Sequence, residues 1–169
     1  MSDQQYFGKY RGSVFNNVDP MQMGRLMLMV PDVLGEIPSS WALPCVPVAG
    51  IQMGTWLVPP IGSGVWVEFE QGDKDYPIWT GGWWSVGQVP ALALAAPPPI
   101  SSFVMQTQLQ NALVISDAPG PTGGILLKSM TGAVIMINET GITISNGQGA
   151  SIIMSGPTIT VNGGALVVT

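Results

Sequence analysis

The chain has 169 residues and a formal net charge of −5, with five Lys and Arg, ten Asp and Glu, and no histidine. That composition excludes a basic patch able to neutralise phosphates, and removes the commonest general base and metal ligand. Only 9% of residues are charged against 46% hydrophobic, so a lone copy could not cover itself with polar surface, and oligomerisation is expected.

No apolar run approaches the roughly 20 residues of a membrane helix. The amino-terminal Met1–Tyr6 lacks the basic-then-apolar character of a secretory signal, so assembly in the cytoplasm is expected. The single cysteine, Cys45, excludes an intrachain disulfide and is expected to be a small buried hydrophobe.

Tyr6–Val18 reads as a strand running into a turn through Pro20. Gly24–Val30 places Leu26, Leu28 and Val30 on one face and Met27 and Met29 on the other, which implies a strand covered on both sides. Trp41–Val48 holds Pro44 and Pro47 and must therefore lie at a sheet edge or be bulged. The stretch Gly50–Gly64 is punctuation before the clearest strand, Val65–Glu70, where Val65, Val67 and Phe69 alternate with Trp66, Glu68 and Glu70. Gln71–Asp75 is a turn, and Tyr76–Trp84 returns from it. Strands without an amphipathic helix predict a small barrel over residues 1–90.

All six tryptophans and all three tyrosines precede residue 90, and Pro90–Pro99 separates this aromatic half from one of different composition. Residues 91–121 read as a proline-rich linker and neck. In 122–169, the runs Ile125–Lys128, Ala133–Ile137, Ile142–Ser145, Ser151–Ser155, Thr158–Val161 and Ala165–Val168 are divided by Gly132, Gly141, Gly149, Gly156 and Gly163. Short strands at this spacing must stack on neighbours to bury an apolar face, as in a β-solenoid or intertwined β-helix. Alternation turns Ile142, Ile144, Ile159 and Val161 inward against Thr143, Ser145, Thr158 and Thr160, and Ile125 and Leu127 likewise. In the other three runs both faces are apolar and parity stays open; Ile135, Ile137 and Ile152 are the inward candidates there. Winding three chains together would satisfy the strand edges.

Candidate chemistry is sparse. Glu68 and Glu70 read as a solvated face, Gly72–Asp75 as a hairpin turn rather than a calcium loop, and Gly62-Ser63-Gly64 as a turn before a strand. No catalytic residue, metal site or cofactor is assigned, so no enzyme is expected. Adjacent Trp83 and Trp84 face opposite sides of a strand, which marks them as a candidate hub or subunit contact.

Gly24-Arg25-Leu26, Trp41, Pro44, Ala49-Gly50, Pro59 through Asp73, and Tyr76-Pro77-Ile78-Trp79-Thr80-Gly81 resemble one domain of the central spikes of contractile injection machines. That domain has the oligonucleotide/oligosaccharide-binding (OB) fold. The family is baseplate assembly protein V of contractile-tailed phages, its pyocin relatives and the VgrG spike of type VI secretion. The glycine-punctuated tail is similar to the family's needle. The resemblance implies an all-β chain: an OB-fold barrel followed by an intertwined trimeric β-helix, with Ile125, Leu127, Ile135, Ile137, Ile142, Ile144, Ile152, Ile159 and Val161 in the trimer core. It implies a structural homotrimer in the virion baseplate or a bacteriocin particle, bound to a hub protein and driven through the target outer membrane.

Two departures shape further expectations. Many relatives end in a His-x-His apex that holds iron, which this chain lacks, so a tip protein of the proline-alanine-alanine-arginine (PAAR) type is expected on Ala165, Leu166, Val167, Val168 and Thr169. Residues 85–111 are too few for a fused hub or lysozyme, so a stand-alone phage or pyocin type is expected, its hub a separate chain. A nucleic-acid- or saccharide-binding module is the alternative that the OB fold invites, and the missing cationic groove weighs against nucleic acid as a partner.

Overall fold

The computed structural model describes residues 4–168, and the chain divides into two compact units, Met1–Gln88 and Val89–Thr169.

The first unit contains β1 (Tyr10–Asn16), β2 (Met27–Met29), α1 (Pro31–Leu34), β3 (Leu43–Pro44), β4 (Ala49–Gly50), β5 (Met53–Gly54), β6 (Gly64–Phe69) and β7 (Pro77–Trp83). Five strands form one curled sheet in the order β2-β1-β6-β7-β3. Its ends meet where the Leu26 N–H donates to the Ala42 carbonyl at 3.1 Å and the Ala42 N–H returns to Leu26 at 2.7 Å. The barrel is therefore closed by a single bridge, and the proline-bearing β3 is an edge strand running parallel to β7. The alternation seen in Val65–Glu70 builds the core: Val65, Val67 and Phe69 pack with Val14, Leu26, Leu28, Val30, Ala42 and Trp79. Each large aliphatic side chain fully buried here stabilises the fold by about 1.5–3 kcal/mol.

Three expectations change. Met27 and Met29 are only half-buried, so the second side of β2 is incompletely covered in the single chain. The stretch read as punctuation carries a two-stranded hairpin, β4–β5. Cys45 is exposed rather than buried, because it directly follows the edge strand β3, its N–H donating to the Trp79 carbonyl at 2.9 Å.

The loop between β1 and β2 is organised by Asp19. Its carboxylate accepts bonds from Arg25 Nε (3.1 Å) and Nη2 (2.7 Å), and from the backbone N–H groups of Met21 (3.0 Å), Met23 (2.8 Å) and Arg25 (3.2 Å). The Arg25 guanidinium in turn lies 5.4 Å from the Trp41 ring centre. The Arg25 guanidinium first, with the backbone donors, holds the Asp19 carboxyl far below the usual carboxylate range. Stability from this ionised group is present above its unfolded value of about 4 and declines as pH falls from there toward the lower folded value. Asp19→Asn should therefore melt below the wild type at pH 7, with a gap that narrows below about pH 4. Melting curves of both proteins across pH check this, and equal melting at pH 7 would refute it.

The second unit contains α2 (Ala91–Leu94), β8 (Ser102–Gln106), β9 (Ala112–Ser116), β10 (Gly124–Lys128), β11 (Val134–Asn138), β12 (Gly141–Ser145), β13 (Ser151–Ser155), β14 (Thr158–Val161) and β15 (Leu166–Val168). The eight strands form one antiparallel meander in sequence order. Residues 91–121, read as linker and neck, thus contribute two strands to the same sheet as the glycine-spaced runs. The turn between β8 and β9 has no glycine to signal it; Gln110 takes φ 63° there, and the Thr107 N–H donates to the Asn111 carbonyl at 2.9 Å.

Every ladder closes between successive strands of one chain, leaving β8 and β15 as edges among the described residues. Edge satisfaction by other copies is therefore unnecessary for the inner strands. Short turns make these pairings local, with little loop-closure entropy to overcome.

Candidate functional site

Strand pairing aligns one apolar residue after another into a continuous face on one side of the second unit's sheet. In register across the strands, Phe103 opposes Ile115 and Met105 opposes Leu113; Ile115 opposes Ile125 and Leu113 opposes Leu127. The pattern continues through Ile125–Ile137, Leu127–Ile135, Ile135–Ile144 and Ile137–Ile142. It ends in Ile142–Met154, Ile144–Ile152, Ile152–Val161, Met154–Ile159 and Val161–Leu166. Because strand side chains alternate, all of these lie on the same face.

No charged or polar residue interrupts that face in β8–β14. The other face carries polar residues at the strand ends, Gln106, Ser116, Lys128, Asn138, Ser145, Ser151, Ser155 and Thr158, and apolar ones along the strands, Val104, Val114, Leu126, Val134, Met136 and Ile153, with Ala112 and Val114 buried.

All nine residues expected in the trimer core share the apolar face. In the single chain they are far from buried: Ile125 is 41%, Leu127 46%, Ile135 43%, Ile137 43% and Ile144, Ile152 and Ile159 each 40% exposed. A face of this extent is an association surface. Covering it would stabilise an assembly by about 1 kcal/mol per residue, roughly the share of a fully buried side chain that each still exposes. Phe103, Met105, Leu113, Ile115 and Met154 belong to the same face and were not among the candidates. The alternation within Ser102–Gln106 and Ala112–Ser116 is the signal that could have found most of them.

The expected tip residues lie at the β15 edge. Ala165 is exposed, Leu166 is 58% exposed, and Val167 and Val168 pair with Thr160 and Ile159; Thr169 lies outside the described residues. Trp83 and Trp84 separate as their parity requires. Trp83 is half-buried and its Nε1–H donates to the Val65 carbonyl at 3.1 Å, whereas Trp84 is 66% exposed. Gly64 makes room for the Trp83 indole: a Cβ there would sit 2.5 Å from the ring.

The carboxylates considered for chemistry have surface settings. Glu68 accepts from Lys9 Nζ at 2.9 Å in an exposed ion pair, and Glu70 opens the turn that follows β6. Gly62 and Ser63 are tied to β1 by bonds to and from Val14, at 2.8 and 2.9 Å. Among the described residues, no three His, Cys, Asp or Glu side chains converge as a metal site would require.

Residues 10–84, within the first unit, match the family described as the type VI secretion system/phage-baseplate injector OB domain. Residues 102–167, covering the eight-stranded sheet, match the phage baseplate V C-terminal trimerisation domain. No curated protein matches the chain. The two matched regions follow the two units in order and together cover most of the sequence: the chain belongs to the baseplate assembly protein V and VgrG-like family, as a baseplate or secretion-spike component that joins an OB domain to a trimerisation domain.

Proposed function

We propose that this protein is the central, membrane-piercing spike of a contractile tail baseplate. Three copies turn their apolar sheet faces together into a needle that joins a hub protein at the barrel to a tip protein of the PAAR type, and the spike punctures the target cell envelope on contraction. The uninterrupted apolar face is the observation that supports this reading. It is a surface that only association can cover, in a region whose family is defined by trimerisation. Eight strands at about 4.8 Å each give a needle of roughly 38 Å. A rod of continuous ladders resists axial load, because bending it breaks many hydrogen bonds together. Such work needs no catalytic group, and the protein is proposed to be non-enzymatic and to act in a phage-tail or bacteriocin particle.

Purified contractile particles test the linkage. Ala165→Asp should lose the tip protein while the chain stays trimeric, and Trp84→Ala should cut hub recovery tenfold or more. Particles carrying the wild-type chain should release a periplasmic reporter from target cells, and tip-less particles much less. Hub and tip recovery unchanged in both variants would overturn the assignment of these contacts.

A further inference from the structure

The second unit has only three charged side chains, Asp117, Lys128 and Glu139, and strand pairing sorts them by sign. Turns alternate between the two flanks of the meander. One flank carries the turns after β8, β10, β12 and β14, and Lys128 ends β10 there, level with Ala112 and Val134 on the neighbouring strands. The other carries the turns after β9, β11 and β13. On that flank Asp117 follows Ser116 at the end of β9, and Glu139 follows Asn138 at the end of β11. A five-residue strand, roughly 17 Å long, separates the cation from both carboxylates. Among the described residues Lys128, half-buried, and Asp117, exposed, have no ion-pair partner, and Glu139 accepts the Gly120 N–H at 2.9 Å.

Two features bring opposite flanks together on neighbouring copies. The first is strand length. Three sheets with their apolar faces toward one axis form a triangular prism, and sides of roughly 17 Å put each sheet about 5 Å from that axis, half the spacing of roughly 10 Å at which sheets pack face to face. Five-residue strands therefore close the corners where the interior is just filled. The second is the alternation of turns. Each corner of a cyclic trimer is a heterologous contact, so the Lys128 flank of one copy meets the Asp117 and Glu139 flank of the next. Turns on one flank stand level with the gaps on the other. The β10–β11 turn that Lys128 opens would enter the gap between the β9–β10 and β11–β12 turns, with Lys128 one strand spacing, about 4.8 Å along the axis, from Asp117 on one side and Glu139 on the other.

We propose that Lys128 of each copy pairs with Asp117 of the next, with Glu139 on its other side, so that one contact of mixed charge closes each corner. The inference rests on the trimer proposed above and assigns what the apolar face leaves open, which flank meets which and at what height. Sliding one copy by two strands keeps aliphatic side chains against one another but separates these charges, so the pair fixes the axial register.

The test uses the full-length chain with Cys45→Ser as background. Lys128→Cys and Asp117→Cys are combined and treated with a thiol-to-thiol crosslinker too short to span a strand, after the mass in solution has been measured. Covalent dimers and trimers on a denaturing gel are the expected result. They should be absent from either single-cysteine chain, and from Lys128→Cys combined with Ser155→Cys, which ends β13 further along the acidic flank. A charge exchange checks the pair independently: Lys128→Glu should lower the melting temperature of the trimer by about 5 °C or more, and adding Asp117→Lys should restore most of the loss. A trimer that gives no link, links only through Ser155→Cys, or shows no recovery in the exchange would overturn the contact while leaving the trimer intact. A wild-type chain that is a monomer by mass would overturn both.

Discussion

Ile135→Asp should abolish the trimer. Ile135 is in the middle of the apolar face, opposed by Leu127 on one neighbouring strand and Ile144 on the other. In an assembly of three such faces the substitution puts three carboxylates into one apolar interior, near each other and without hydrogen-bond donors. Each would cost several kcal/mol to desolvate, and ionisation of more than one adds like-charge repulsion. That total exceeds the roughly 1 kcal/mol per residue gained from the neighbouring isoleucines. Light scattering should then read a monomer or aggregates in place of three times 17.8 kDa. Thr143→Asp is the matched control. It is on the opposite face, paired with Met136, and should leave the mass unchanged. The proposed core face would be wrong if Ile135→Asp stayed trimeric while Thr143→Asp dissociated.

Gly141→Ala should open the sheet between β12 and β13. Gly141 begins β12 opposite Asn138 with φ at 137°, a conformation that side chains avoid. A Cβ added there would run into the Met154 carbonyl oxygen of the next strand. The backbone conformation alone costs about 1–2 kcal/mol, and each ladder bond lost in relieving the overlap about 0.5–1.5 kcal/mol more. In a trimer the penalty is incurred three times. Gly149→Ala separates the two effects, since φ is 107° but nothing lies within 4 Å of the added carbon. Gly141→Ala should lower the melting temperature much more than Gly149→Ala and raise amide exchange in β12 and β13. Melting within about 2 °C of wild type would refute the clash.

These two positions show different kinds of legibility. The inward parity of Ile142, Ile144, Ile159 and Val161 follows from alternation with Thr and Ser inside each strand, and the structure puts them on one face. For Ile135, Ile137 and Ile152 both faces are apolar, and only pairing with strands of known parity decides them: Ile135 is opposite Ile144, and Ile152 is opposite both Ile144 and Val161. The glycine at 141 was readable as a strand boundary. That its missing Cβ accommodates the Met154 carbonyl was not, because Met154 belongs to another strand.

In the barrel the sequence by itself determined which side of β6 is core and that the proline-bearing strand lies at an edge. It also marked the separation of Trp83 from Trp84. Period-two alternation and the missing proline donor are properties of the chain within a few residues, and folding does not alter them. Tertiary structure decided the rest. Residues 102–116 became two more strands of the sheet because a neighbouring ladder was available to Phe103, Met105, Leu113 and Ile115. Cys45 became exposed because its strand had no outer neighbour. Arg11 came to lie between Trp66 and Trp83 because β1 and β7 both pair with β6, joining residues more than fifty positions apart. Such contacts arise from closure of the chain on itself, which no local pattern encodes.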